Sequence, residues 1–152
     1  MRTRDVRGFS LLELLVLMAI IAVITAVSVP SFVTYWQAAT LKAGAQELAT
    51  ILNRAREVAI AQNSAVCVSQ VANRVQFLTG DCSGMVWTGP GTDGNGWFTL
   101  QNNVNVSGAT SNVVFNYLGA APTPGTYTVQ NPVTNHTMSV VVALSGRITV
   151  GP

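Results

Sequence analysis

Between Phe9 and Val29 the chain offers 21 residues with a single charge among them, Glu13. As an α-helix rising about 1.5 Å per residue this run measures about 31 Å, the thickness of a bilayer's hydrocarbon core. A segment of this length and apolarity spans a membrane, and the remainder of the chain has to be arranged around that fact. Glu13 is the exception inside it. A carboxylate in a spanning helix costs about 2.5–3.5 kcal/mol on insertion scales, which marks it as a functional residue with a cationic partner to be sought. The simpler reading is that Glu13, four residues into the run, sits at the interface.

What precedes the run separates these readings. The leader MRTRDVRG carries Arg2, Arg4, Arg7 and Asp5 directly against the apolar segment. A secretory signal would place a small-residue cleavage site of the A-x-A type after its apolar region. Ala22-Val23-Ile24 and Thr25-Ala26-Val27 match that pattern poorly. Instead a basic leader ends in Gly8, Phe9 follows, and Glu13 is the fifth residue after the glycine. This arrangement resembles the prepilin signal of type IV pilins and type II secretion pseudopilins. The resemblance implies that a prepilin peptidase cuts between Gly8 and Phe9, methylates the new amine of Phe9 and leaves the helix attached. It also implies that Glu13 neutralises the Phe9 amine of a neighbouring subunit, since a buried charge is tolerable only when paired. Pro30 closes the segment and resembles the proline that kinks pilin helices.

Arginines before the span and few basic residues just after it place the leader in the cytoplasm and the rest across the membrane. The expected location is therefore the inner membrane, single-pass, with a periplasmic folded part and a filament or its tip after assembly. Taking Arg2, Arg4, Arg7 and Asp5 away from eight basic and six acidic residues leaves five of each, so the processed chain is neutral in its side chains. That balance argues against a nucleic-acid partner. A periplasmic compartment permits disulfides, and Cys67 with Cys82 is one candidate pair, the alternative being two reduced buried thiols. The single histidine, His136, is distant and no C-x-x-C spacing exists, so no metal site is expected.

Beyond Ser31 the helical pattern changes character. Leu41, Ala45, Leu48, Leu52, Ala55 and Ala59 recur at steps of four and three and form one apolar stripe, with Lys42, Gln46, Asn53, Arg54 and Glu57 elsewhere. Gly44 is a soft point in it, and Gln62-Asn63-Ser64 is an end signal. One helix of roughly 50 residues is expected, apolar all round in its first half and amphipathic in its second. The amphipathic half needs a partner. Runs rich in β-branched and aromatic residues supply one: Ala65–Gln70, Arg74–Thr79, Trp97–Leu100, Val113–Tyr117, Thr126–Gln130, Thr137–Leu144 and Arg147–Val150. Turn clusters fall at Gly89–Gly96, Ser107–Asn112 and Gly119–Gly125. A long helix followed only by strands is an α+β layout. The expected parts are a leader (1–8), a membrane and polymerisation half-helix (9–30), an amphipathic half (31–63) and a β-rich globular domain (64–152).

The helix-end sequence LATILNRAREVAIAQNSAV, Leu48 to Val66, resembles the GspH/FimT family of minor pilins and pseudopilins. Cys67 and Cys82, Trp87, Gly96-Trp97-Phe98, Phe115 with Gly119, and Ser145-Gly146-Arg147 follow in the same order, covering most of the chain. The resemblance implies a structural subunit of a type IV pilus or type II secretion pseudopilus. Its implied partners are other pilins or pseudopilins, the prepilin peptidase and the inner-membrane assembly platform.

No enzyme site is visible. Catalysis needs titratable groups that converge, and after Glu57 the acids are Asp81 and Asp93 alone. The Gly89–Gly96 loop lacks the spacing and Lys-Ser/Thr of a phosphate cradle. Its Asp93-Gly94-Asn95-Gly96 has a partial likeness to a calcium loop without the later Glu, so a flexible hairpin connection is expected, and no cofactor. Trp87, Trp97 and Phe98 read as core rather than contact surface. The rival function is a DNA-binding minor pilin of a transformation pilus. In some FimT-type proteins a C-terminal G-R-x-R arrangement binds DNA, which makes Arg147 the candidate contact. Here the sequence reads Gly146-Arg147-Ile148-Thr149, so the second arginine is missing.

Overall fold

The computed structural model describes residues 10–152. The proposed cleavage pair, Gly8 and Phe9, and the leader arginines lie outside the described residues. Helix α1 (Leu11–Ala61) is followed by nine strands and nothing else of regular structure among the described residues, which is the α+β layout expected. Packing divides the chain into two units, one ending at Trp36 and one running Gln37–Pro152.

In the second unit α1 buries Leu41, Gly44, Ala45, Leu48, Ile51, Leu52, Ala55 and Ala59. The stripe read from the sequence is therefore the core face, with Gly44 and Ile51 added to it. Gly44 is not a soft point. A Cβ placed there would lie 2.4 Å from Val104 Cγ2, so a glycine is what lets the helix approach the 104 segment. The helix ends where Gln62-Asn63-Ser64 says it should. Asn63 turns left-handed (φ 49°), Ser64 N donates to Ala59 O at 3.1 Å and Asn63 N to Ile60 O at 3.2 Å, which closes the last turn as a Schellman cap.

Two antiparallel sheets complete the unit. The first contains β1 (Val66–Val71), β2 (Arg74–Thr79), β3 (Met85–Val86), β4 (Trp97–Thr99) and β6 (Val113–Phe115), in the order β3-β2-β1-β6, with β4 also on β2. The second is ordered β5 (Asn105–Ala109), β7 (Gly125–Gln130), β8 (Thr137–Val142) and β9 (Ile148–Gly151). In β7 burial alternates strictly, Gly125, Tyr127 and Val129 pointing inward. Tyr127 ties the sheets together: its hydroxyl donates to Val68 O on β1 and accepts from Val113 N on β6, each at 3.4 Å.

Several expectations need correcting. Two strands, β3 and β5, lie outside the runs expected from the sequence. β5 falls partly in the expected Ser107–Asn112 turn cluster, because its polar residues are held extended by pairing with β7 across a bulge between Val106 and Gly108. β6 stops at Phe115, short of Tyr117, because Asn116 Oδ1 accepts from both Leu118 N and Ala120 N at 3.0 Å and bends the chain. β8 stops at Val142 rather than Leu144, and β9 starts at Ile148 rather than Arg147, because residues 143–147 form the intervening turn.

The topology has one feature no local pattern encodes. β3 and β4 share the same edge of β2: Val86 opposes Leu78 and Trp97 opposes Gln76. They are two halves of one edge position, and residues 87–96 loop out between them. Cys67 and Cys82 are joined in a disulfide, with Cα atoms 5.1 Å apart, which fastens the turn after β2 to β1. A cross-link with a sequence separation of 15 residues stabilises by about 3 kcal/mol in the chain-entropy picture.

Candidate functional site

The described part of the first unit has no interior. From Leu11 to Trp36 every residue of α1 is exposed, including Leu11 at 82% and Trp36 at 61%. Such a helix is long and apolar enough to cross a membrane. Glu13 lies in its first turn, an end at which the helix dipole favours a carboxylate. Thr25 Oγ1 donates to the carbonyls of Ile21 (2.9 Å) and Ala22 (3.0 Å), which satisfies the hydroxyl without water, as a lipid environment requires. Pro30 lies inside α1, and the helix continues through it. Thr34 Oγ1 donates to Pro30 O at 2.8 Å. A feature the sequence reading passed over is the Phe32, Tyr35 and Trp36 group just beyond the run, with Phe32 and Trp36 ring centroids 6.1 Å apart. Aromatic residues at the end of an apolar span are an interface signal, so it was there to be read.

In the second unit the remaining candidates are dispersed. His136 is exposed in the β7–β8 loop and Arg147 is exposed at the β8–β9 turn. Arg147 O accepts from Ala143 N (2.9 Å) and Gly146 N donates to Ala143 O (2.8 Å), so the Gly146-Arg147 pair belongs to a hairpin turn. Asp81 caps its own turn through Ser83 N at 2.8 Å. No group of three or more metal-ligating side chains occurs among the described residues. No acid, base and nucleophile converge there.

The 87–96 loop, expected from its glycines to be a flexible hairpin connection, is organised by side-chain hydrogen bonds. Asp93 Oδ1 accepts from Trp97 N and Asn95 N, both at 2.9 Å, and Thr92 Oγ1 both donates to Gly89 O (2.8 Å) and accepts from Gly89 N (3.1 Å). The Trp97 N–H holds the Asp93 carboxyl below its ordinary value, with Asn95 N–H and the Arg74 charge adding to the effect against an opposing cost of desolvation. Phe98 is buried and Trp87 packs half-buried on the same core, with Phe77 in contact with both. Arg54 lies 5.8 Å from each of the Trp87 and Phe98 ring centroids. Its guanidinium and Glu57 line an open groove of about 530 Å³ beside Trp87. The groove brings together one cation and one acid, a solvated arrangement without a general acid–base pair.

A third cluster lies where α1 meets two turns, Asn116–Ala121 and Ala143–Arg147. Gly119 and Gly146 both adopt φ of 78°, and a Cβ on Gly146 would fall 1.9 Å from Gly119 O, so the turns stack backbone on backbone. Ala121 N donates to Leu144 O at 3.0 Å across the same junction. Arg56 and Ile60 underlie it, since a Cβ on Gly119 would lie 2.8 Å from Arg56 Nε and 2.9 Å from Ile60 Cδ1.

The sequence profile of type II transport protein GspH matches residues 44–146, and that of the prokaryotic N-terminal methylation motif matches residues 3–29. No curated protein sequence gives a match. Among solved structures, the chain is similar in fold to the type IV minor pilin FimU of Pseudomonas aeruginosa, with a TM-score of 0.53 and 21% identity over 74% of this chain and 88% of that one. It is similar also to the minor pseudopilin EpsH of the Vibrio cholerae type 2 secretion system, with a TM-score of 0.55 and 16% identity over 72% of this chain and 94% of that one. With the first profile covering roughly two thirds of the sequence, the chain belongs to the family of type II transport protein GspH.

Proposed function

We propose that this chain is a structural minor subunit of a type IV pilus or a type II secretion pseudopilus. The observation that carries the reading is the helix from Leu11 to Trp36, exposed all round, apolar, and with Glu13 as its only charge. Lipid covers such a surface while the subunit waits in the inner membrane, and neighbouring helices cover it after assembly. The leader is removed between Gly8 and Phe9, the Phe9 amine is methylated, and Glu13 pairs with the amine of a neighbouring subunit. Pro30 lies within this helix, at the end of its uninterrupted apolar run, and is read as an assembly residue. The globular unit lies on the periplasmic side, where its disulfide is stable, and is carried into the filament or its tip.

Membership in the GspH family, the methylation-motif match and the fold shared with FimU and EpsH support this reading. Arg147, an exposed turn residue without a second arginine, gives DNA binding no comparable support. Co-expression with a prepilin peptidase is expected to lower the intact mass by the Met1–Gly8 leader and add one methyl group. Glu13→Ala is expected to be lost from sheared filaments that retain the wild type. An uncut chain, or undiminished recovery of the alanine variant, overturns the corresponding claim.

A further inference from the structure

The junction of α1 with the Asn116–Ala121 and Ala143–Arg147 turns has a charge arrangement that the fold itself does not use. Among the described residues Arg56 Nε is buried without a hydrogen-bond partner, and Nη1 reaches only Gly146 O at 3.5 Å, a carbonyl and not a carboxylate. A guanidinium N–H withdrawn from water without an acceptor is costly, even on a half-buried side chain. Neither turn contains an acidic residue, and Arg147 adds a second cation. Around this centre the surface is apolar: Ile60, Leu118 and Leu144 are 49%, 69% and 65% exposed, and Tyr117 is 53% exposed. A half-buried arginine with an exposed tyrosine and exposed apolar side chains on the adjoining turns has the arginine and aromatic enrichment of interfaces rather than of ordinary solvated surface.

We infer that this junction is a docking surface for a neighbouring protein subunit that presents a carboxylate flanked by apolar side chains, the carboxylate pairing with Arg56. A symmetric contact between two copies of the patch is disfavoured, because it would place Arg56 against Arg56. The occupant therefore offers a different, acidic surface. The two glycines fit this assignment, since their close stacking thins the cover over Arg56 to backbone. The inference rests on the filament reading and gives the globular unit a specific contact within it.

The test uses the full chain in its native envelope with a photocrosslinking residue at Leu144, and separately at Ile21 in the apolar helix. The Leu144 probe is expected to yield an adduct with a pilin-type subunit at a peptide containing Asp or Glu. Leu118→Glu, at a position exposed enough to leave folding unchanged, should reduce that adduct about tenfold while Leu118→Lys preserves it, the size of one charge-assisted contact. Arg56→Gln should reduce it similarly with the thermal midpoint held as control. Equal yields from the Glu and Lys variants, an adduct with DNA, or no protein adduct at Leu144 while Ile21 crosslinks to pilin-type subunits, overturns the inference alone. Failure at Ile21 as well removes the filament reading with it.

Discussion

The two halves of α1 share one secondary structure and differ in what covers them. Residues 11–36 expose every side chain, whereas Leu41–Ala59 bury one stripe against two sheets. Hydrophobicity alone does not account for the difference, since the exposed half is the more apolar. The buried half alternates its apolar residues with Lys42, Gln46, Asn53 and Glu57 and so commits one face to its own chain. The exposed half is apolar in every direction and cannot be satisfied within the chain, so its partners are lipid or other helices. The change of regime falls at Gln37, while the change in hydropathy falls near Pro30. Between them lie Phe32, Tyr35 and Trp36, side chains suited to the boundary between lipid and water.

Truncation separates the halves most sharply. Leu48→Ala, at a fully buried position, is expected to lower the stability of the globular unit by about 2–5 kcal/mol in denaturant melts of detergent-solubilised protein. Leu17→Ala, in the exposed half, should leave the same transition where it is. Comparable losses from both would mean that the exposed half contributes to the folded core.

A second test reaches the core through pH. Burial pushes the Tyr127 hydroxyl up to about 12 from an ordinary value of 10.0, while the Val113 N–H it accepts acts in the opposite sense. A raised folded value means that the unfolded chain ionises first. The stabilisation is complete below pH 10 and is lost as pH rises through about 12, a total of about 2–3 kcal/mol. The wild-type stability should fall over that window relative to Tyr127→Phe, which has no phenol to titrate. Parallel pH profiles would show that the hydroxyl linking the two sheets is not buried in solution.

The smallest effect concerns Gly44. Alanine is the better helix former by about 1 kcal/mol, so an open site would be stabilised by Gly44→Ala. The contact with Val104 reverses the sign, and a net loss of about 1–2 kcal/mol is expected in the same melts. A gain would mean that helix and 104 segment lie further apart than the structure places them.

Legibility in the sequence followed the range of the interaction. The apolar span, the apolar stripe and the Gln62–Ser64 stop are written in consecutive or near-consecutive residues, and hydropathy and periodicity read them directly. The disulfide was visible only as one of two alternatives, because spacing says nothing about Cα separation. Strand β5 was hidden, since its extended conformation comes from β7 and not from its own polar residues. The loop at 87–96 looked flexible by composition, yet one aspartate side chain organises it.

By itself the sequence determined that this chain is a single apolar anchor continued as an amphipathic helix and closed by strands, because length, charge and period are local quantities that water and lipid read directly. Tertiary structure alone decided that β3 and β4 occupy one edge of β2. It alone gave Gly44, Gly119 and Gly146 their role as points of close approach, and left Arg56 Nε buried without a partner among the described residues. Those outcomes depend on which distant segments meet, and a glycine or an arginine carries no mark of its neighbour until the chain has folded.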